Sequence, residues 1–284
     1  MSAPDRVVES PDGTTIAVFE SGGAQGARPL LLVHGTTADH LTFRVVGPIL
    51  GRRRRLYAID RRGRGASGDA PSGYSIAREF EDVAAVADAV AREFGVAVDV
   101  LGHSFGGRCA LGASRLTSTI RRVVSYEGGP GPSDRPYQRA GLADRLRASL
   151  ANGDREAVLE AFMREVVGMD DADMDRFRTD PVWPLRVAAS ATILRELEAE
   201  QALEASLDAL CHVEVPVLQV LGSESPPAFQ AATIALDACL ARGAITRIQG
   251  AAHAAHHTHP GAFVAAVEAF LDADTAAGRA QWSG

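Results

Sequence analysis

The 284-residue sequence contains no lysine, so all 29 of its basic side chains are arginine. That reflects a coding bias rather than a chemistry, but against 36 acids it leaves a net charge of −7, which argues against a nucleic-acid partner. Long hydrophobic runs are also missing. No stretch approaches the roughly 18 apolar residues a membrane span needs, and MSAPDRVVESPDG at the N-terminus has no apolar core of a secretion signal. Cysteine is scarce. Cys109, Cys211 and Cys239 show no paired spacing, which predicts reduced thiols and a cytoplasmic location. Internal repeats and low-complexity linkers are absent as well, leaving one large domain or a domain carrying an insertion. What remains is 46% apolar and 23% charged, enough for a full core. The arginine run at 52–55 lacks interleaved aromatics and reads as a solvated loop.

The order of elements is informative. A hairpin is predicted from strands near 6–9 and 14–20 around the PDG turn at 11–13. Apolar runs follow at 29–35 (PLLLVHG), 56–60, 98–102, 121–127, 215–222 and 244–250, of the kind buried on both faces of a parallel sheet. Helical periodicity occupies 79–95, 105–115, 227–241 and 261–272. This alternation predicts an α/β fold with a mostly parallel central sheet and helices on both faces. From 132 to 211 there is much helical signal and no convincing strand. Such a block, inserted after a strand, is expected to cover the C-terminal ends of the strands, where ligands sit in open α/β sheets.

Chemistry-bearing residues cluster at those strand ends. Gly102-His103-Ser104-Phe105-Gly106 fits G-x-S-x-G, in which a tight strand-to-helix turn exposes a serine nucleophile. His34-Gly35 ends an earlier strand, and the N–H of Thr36 together with that of Phe105 could receive an oxyanion. The stretch 248–260 holds four histidines; His253 lies on a loop after a strand and before the helix that Pro260 opens, the placement a general base requires. His256, His257 and His259 read as loop or helix-start residues, because no acids or cysteines accompany them as metal ligands. SYEGGP at 125–130 ends a buried strand on Glu127, which is either a turn residue or a carboxylate aimed inward.

Together, HGTT at 34–37, DRRGRGAS at 60–67, GHSFGG at 102–107 and His253 resemble the α/β-hydrolase fold superfamily over nearly the whole chain. The resemblance implies a hydrolase core of 1–131 and 212–284 with a helical cap at 132–211, and no cofactor or metal. It also implies a catalytic group of Ser104, His253 and an acid. The family's usual acid position, on the turn after the seventh strand, holds Ser225, with Glu224 one residue earlier. Some members, zearalenone lactonases among them, place a glutamate at the end of the sixth strand, where Glu127 stands. Glu127 is therefore favoured and Glu224 is the alternative. Trp183 in the helical block is a candidate to pack on substrate.

A serine nucleophile disfavours the alkyl-enzyme chemistry of epoxide hydrolysis and dehalogenation. The expected activity is hydrolysis of a small-molecule carboxylic ester or lactone through an acyl-enzyme. The alternatives are carbon–carbon bond hydrolysis of a diketone-like substrate, or a ligand-binding protein on the same fold without turnover.

Overall fold

The computed structural model describes residues 3–23, 26–69, 73–132, 137 and 140–273. Eight strands form one sheet: β1 (Arg6–Glu9), β2 (Thr15–Gly22), β3 (Pro29–Val33), β4 (Arg55–Ile59), β5 (Val98–His103), β6 (Ile120–Tyr126), β7 (Val217–Gly222) and β8 (Gly243–Ile248). Their order is β1-β2-β4-β3-β5-β6-β7-β8, with β2 antiparallel to both neighbours and all later pairings parallel. This is the architecture the resemblance implies. β3 shows why its sequence is continuously apolar. Leu31 and Val33 face one core, with Val83, Val90 and Leu111 of the helices Ile76–Phe94 and Phe105–Ala113. Leu30 and Leu32 face the other, with Phe263 and Val267 of the helix Pro260–Asp272.

Five helices of seven to ten residues fill the segment between β6 and β7: Leu142–Ala151, Arg155–Phe162, Asp171–Thr179, Trp183–Ala189 and Ile193–Ala199. Asp154 and Asp170 cap two of them by accepting backbone N–H bonds. Each helix is too short to persist alone, and the block has its own apolar centre around Leu146, Leu159, Met174 and Ile193. Residues 133–136 and 138–139, at the start of the expected block, lie outside the described residues.

The loop after β4 carries buried cations that tie this block to the sheet. Arg61 pairs with Glu79 at 3.1 Å and with Glu196 of the helix Ile193–Ala199 at 2.5 Å, while Arg64 also reaches Glu196. Arg62 pairs with Asp82 at 2.6 Å and Asp12 at 2.9 Å. All three arginines are buried, so removing one partner would strand a charge at about 3–5 kcal/mol.

Two expectations need correction. Arg54 is not in a solvated loop; it is buried beside Asp99 and Asp272, because the short turn before β4 folds it under the helix Pro260–Asp272. Nor are all three cysteines reduced. Cys211 and Cys239 form a disulfide, with Cα atoms 5.3 Å apart, joining the end of the helical block to the last turn of the helix Pro227–Cys239; Cys109 is free and buried. A fold-dependent approach across 28 residues brings the pair together, and with it the thiol argument for a reducing compartment falls away. Among the described residues, no helix is long and apolar enough to cross a membrane.

The disulfide can be checked directly. Thiol titration of denatured, unreduced protein should find one free cysteine, and reduction should raise this to three. Reduction should also lower stability by about 3–4 kcal/mol, read from the urea midpoint, as expected for a loop of this length. Three free thiols before reduction would refute the bond.

Candidate active site

Among the described residues, three that are not glycine have positive φ: Thr37 at 61°, Ser104 at 55° and Glu127 at 50°. Each follows a strand end at one edge of the sheet, and such backbone costs on the order of 1–3 kcal/mol per residue unless the surroundings enforce it. Ser104 sits between β5 and the helix Phe105–Ala113, with its N–H donating to Tyr126 O at 2.7 Å. Gly106 lies against the backbone carbonyls of Val33 and His34, where a β-carbon has no room.

Glu127 continues the pairing of β6 by one bond, from its N–H to Val220 O at 3.1 Å, and then turns inward. Gly128 follows at a spot where a β-carbon would sit 2.6 Å from Gly107 Cα, so a larger residue would push the turn off the nucleophile helix. The Glu127 carboxylate is buried and fully used. Oε1 accepts from Gly222 N–H at 2.8 Å and from Ser225 Oγ–H at 2.5 Å, and Oε2 accepts from His253 Nδ1–H at 2.5 Å. Glu224 is exposed, and among the described residues only its N–H is engaged, to Ala251 O at 2.9 Å. Its side chain is turned away because the backbone of residues 223–225 hugs the His253 loop.

Other contacts fix His253. Tyr126 O–H donates to Ala252 O at 2.5 Å and accepts from Ala255 N–H at 2.8 Å, gripping the loop on both sides of the imidazole. His103 Nε2–H donates to His253 O at 2.9 Å. Phe229 stacks on the His253 ring, with centroids 4.3 Å apart and planes 26° from parallel. The sequence reading did not single out Tyr126, His103, Phe229 or Ser225. Two had a signal: Ser225 occupies the usual acid position, and His103 lies inside the nucleophile motif. Among the described residues, no hydrogen bond joins Ser104 Oγ to His253, although both line the same space; such pairs often tighten only around substrate.

His34 shapes the loop after β3. Its Nε2 accepts from Arg61 N–H at 3.0 Å, so Nδ1 carries the proton and donates to Gly35 O at 2.8 Å. Burial, reinforced by the Arg61 charge, holds this ring well below the usual histidine range. The N–H groups of Thr36 and Phe105 have no hydrogen-bond acceptor among the described residues, and both residues border a cavity of about 20 Å³ beside Ser104. A larger cavity of about 260 Å³ opens on the other side of Ser104 and His253. Its far wall comes from the helical block, including Phe162, Met163, Phe177 and Arg186.

Trp183, expected over the substrate, borders neither cavity. It packs within the block against Phe177, and its indole N–H donates to Glu156 Oε1 at 3.0 Å. Its helix turns that face toward the block's own centre. Of the four histidines, His253, His256 and His257 border the larger cavity, whereas the His259 ring lies next to the Thr258 hydroxyl at 2.9 Å. Among the described residues, no three His, Cys, Asp or Glu side chains group as metal ligands.

Burial holds His103 and His256 well below the usual histidine range, and pushes His257 down to about 4. These rings are neutral in the folded chain where the unfolded chain would begin to take up protons, near pH 6.5. Their effect is therefore absent above about pH 6.5, and stability should fall as pH drops from there toward 4. A melting temperature that is flat across this window would contradict the burial of these rings, and His257→Gln should make the decline shallower.

Comparison with known proteins agrees with this geometry. Residues 30–267 match the model of the Alpha/beta hydrolase family. The "Probable oxidoreductase EphD" of Mycobacterium tuberculosis is 36% identical over 132 residues, 45% of this chain, and the match spans only 22% of that longer protein. The pimeloyl-[acyl-carrier protein] methyl ester esterase of Edwardsiella ictaluri is 28% identical over 264 residues, covering 90% of this chain and 98% of the esterase. The crystal structure of an alpha/beta hydrolase from Sphaerobacter thermophilus superposes with a TM-score of 0.80 at 27% identity, over 94% of this chain and all of that one. Sheet order, the strained serine turn and a family match over most of the length agree, and the chain belongs to the alpha/beta hydrolase family.

Proposed function

We propose that the protein is a serine hydrolase that cleaves a carboxylic ester or lactone through an acyl-enzyme. The observation that carries this reading is the 2.5 Å bond from His253 Nδ1–H to Glu127, on a ring that borders the same cavities as Ser104. With Nδ1 protonated and held by a carboxylate, Nε2 is left as the basic atom. Ser104 Oγ attacks the carbonyl carbon and His253 Nε2 takes its proton. The oxyanion is received by the Thr36 and Phe105 N–H groups, which are preorganised and unpaired. His253 then protonates the leaving alkoxide, and water attacks the acyl-enzyme by the same route in reverse. The cavity of about 20 Å³ beside Ser104 has room for about one water.

The esterase branch is supported by similarity to a methyl ester esterase along 90% of the chain. The lactone branch rests on Glu127 ending β6, the placement of the lactonases it resembles, and on the apolar wall of the larger cavity. In this reading residues 132–211 form a cap on a core of 1–131 and 212–284, because the block supplies the cavity's far wall.

Ser104→Ala should lower kcat on any ester substrate by on the order of 10⁴ to 10⁶ with the melting curve unchanged, and only the native protein should be labelled by an active-site serine phosphonate. A variant keeping a tenth of wild-type activity would exclude Ser104 as the nucleophile. For the acid, Glu127→Gln should lower kcat by about 10⁴, as loss of the correct tautomer does in serine proteases. Glu224→Gln should stay near wild type; the reverse pattern would move the acid's role to Glu224.

A further inference from the structure

The hydrolytic reading gives no role to Arg186. It lies on the helix Trp183–Ala189 of the helical block, is 9% exposed, and borders the larger cavity with Ser104 and His253. Its Nη2–H donates to Thr42 Oγ1 at 3.2 Å, and among the described residues no carboxylate lies within ion-pairing distance of it. Asp39 and Asp180 attract it from beyond that distance, and Arg44 repels it. Asp39 Oδ1 accepts from Leu41 N–H at 2.9 Å, and Asp180 accepts from Arg44 at 3.1 Å and from Val182 N–H at 2.9 Å. The other polar rings of the cavity, on His103, His256 and His257, are held neutral by burial and bring no negative charge.

Among the described residues the other buried guanidinium groups are better satisfied: Arg54, Arg61, Arg62, Arg64 and Arg108 each have a carboxylate in direct contact, and Arg122 donates to the backbone carbonyls of Phe270 and Ala273. A buried cation without a counter-charge is costly. Burial lowers the Arg186 pKa to about 10, which still leaves it charged at neutral pH. Thr42 holds the planar fork at Nη2, and Arg186 borders the cavity. A guanidinium presented this way fits a carboxylate through two parallel N–H···O bonds. The cavity that Arg186 shares with Ser104 is lined by apolar side chains such as Phe162 and Met163, with Arg44 and Asp180 also on its wall.

We infer that Arg186 determines specificity, and that the site takes an ester or lactone carrying a carboxylate joined to the reacting carbonyl by an apolar segment. The location of the reacting carbonyl rests on the serine-hydrolase reading. The counter-charge in direct contact that the protein lacks is supplied by the substrate, and binding an uncharged analogue leaves the cation without one. Charged hydrogen bonds of this kind translate into a preference of about ten- to a hundredfold.

The test uses p-nitrophenyl monoesters of succinate, glutarate and adipate against neutral p-nitrophenyl alkanoates of matched length. For the wild-type protein, kcat/KM for at least one monoester should exceed that of its neutral match by at least about tenfold, mainly through KM. In Arg186→Gln that ratio should collapse toward one, and Arg186→Lys should recover part of it. No preference in the wild type at any length, or equal loss on both classes in Arg186→Gln, overturns the inference. The wild-type comparison decides even if a variant fails to fold. A second arm separates the two readings: calorimetric binding of monomethyl glutarate and methyl pentanoate to Ser104→Ala. If the wild type turns over no ester, the hydrolase reading fails. Tighter binding of monomethyl glutarate that is lost when Arg186→Gln is added would still uphold the role of Arg186, and absence of that preference would end it.

Discussion

The hydrogen bond from Ser104 N–H to Tyr126 O couples two turns that would otherwise be independent. It extends the pairing of β5 with β6, in which His103 lies opposite Tyr126, by one residue past the strand end. One residue later on each chain the backbone enters the left-handed region, at Ser104 and at Glu127. The sheet therefore fixes both strained turns at the same depth, and neither can relax without breaking the ladder beside it. Tyr126 adds a third segment from its side chain, holding the loop that carries His253 through Ala252 and Ala255. Three pieces of chain far apart in sequence are thus aligned by the last residues of one strand.

Much of this was legible in the residues because the relevant signals are local. The runs that became β3, β5, β6 and β7 are apolar enough to be buried on both faces, whereas the run that became β8 is mostly half-buried at the sheet edge, and Ser104 announces its turn through the glycines around it. What could not be read depends on how distant surfaces meet. Cys211 and Cys239 carry no spacing signal, since their approach follows from where the helical block returns to the sheet. Trp183 is amphipathic, and nothing in its neighbours says which face of its helix meets the cavity; Glu156, 27 residues away, settles it by accepting the indole N–H. Glu127 and Glu224 lie on adjacent strand ends, and turn chemistry alone separates the one buried against His253 from the one in solvent.

The helical block adheres to the sheet unevenly. On one side Glu196 is buried between Arg61 and Arg64, contacts whose disruption would strand charge inside the protein. On the other, Asp180 meets Arg44 across a pair in which both side chains are about one third exposed, a kind of contact worth about 0–1 kcal/mol. Arg44 and Asp180 both border the larger cavity, and Glu196 borders the smaller one. The block is thus held tightly beside the smaller cavity and loosely beside the larger one.

Ser225 stands at the position where the family more commonly keeps its acid, and here it donates to Glu127 at 2.5 Å. An aspartate in its place would set two carboxylates against each other in a buried pocket, and like charges at that distance cannot both ionise. Carboxylates at 127 and 225 together would therefore have to share a proton. The hydroxyl at residue 225 avoids that conflict by donating to the Glu127 carboxylate instead of competing with it.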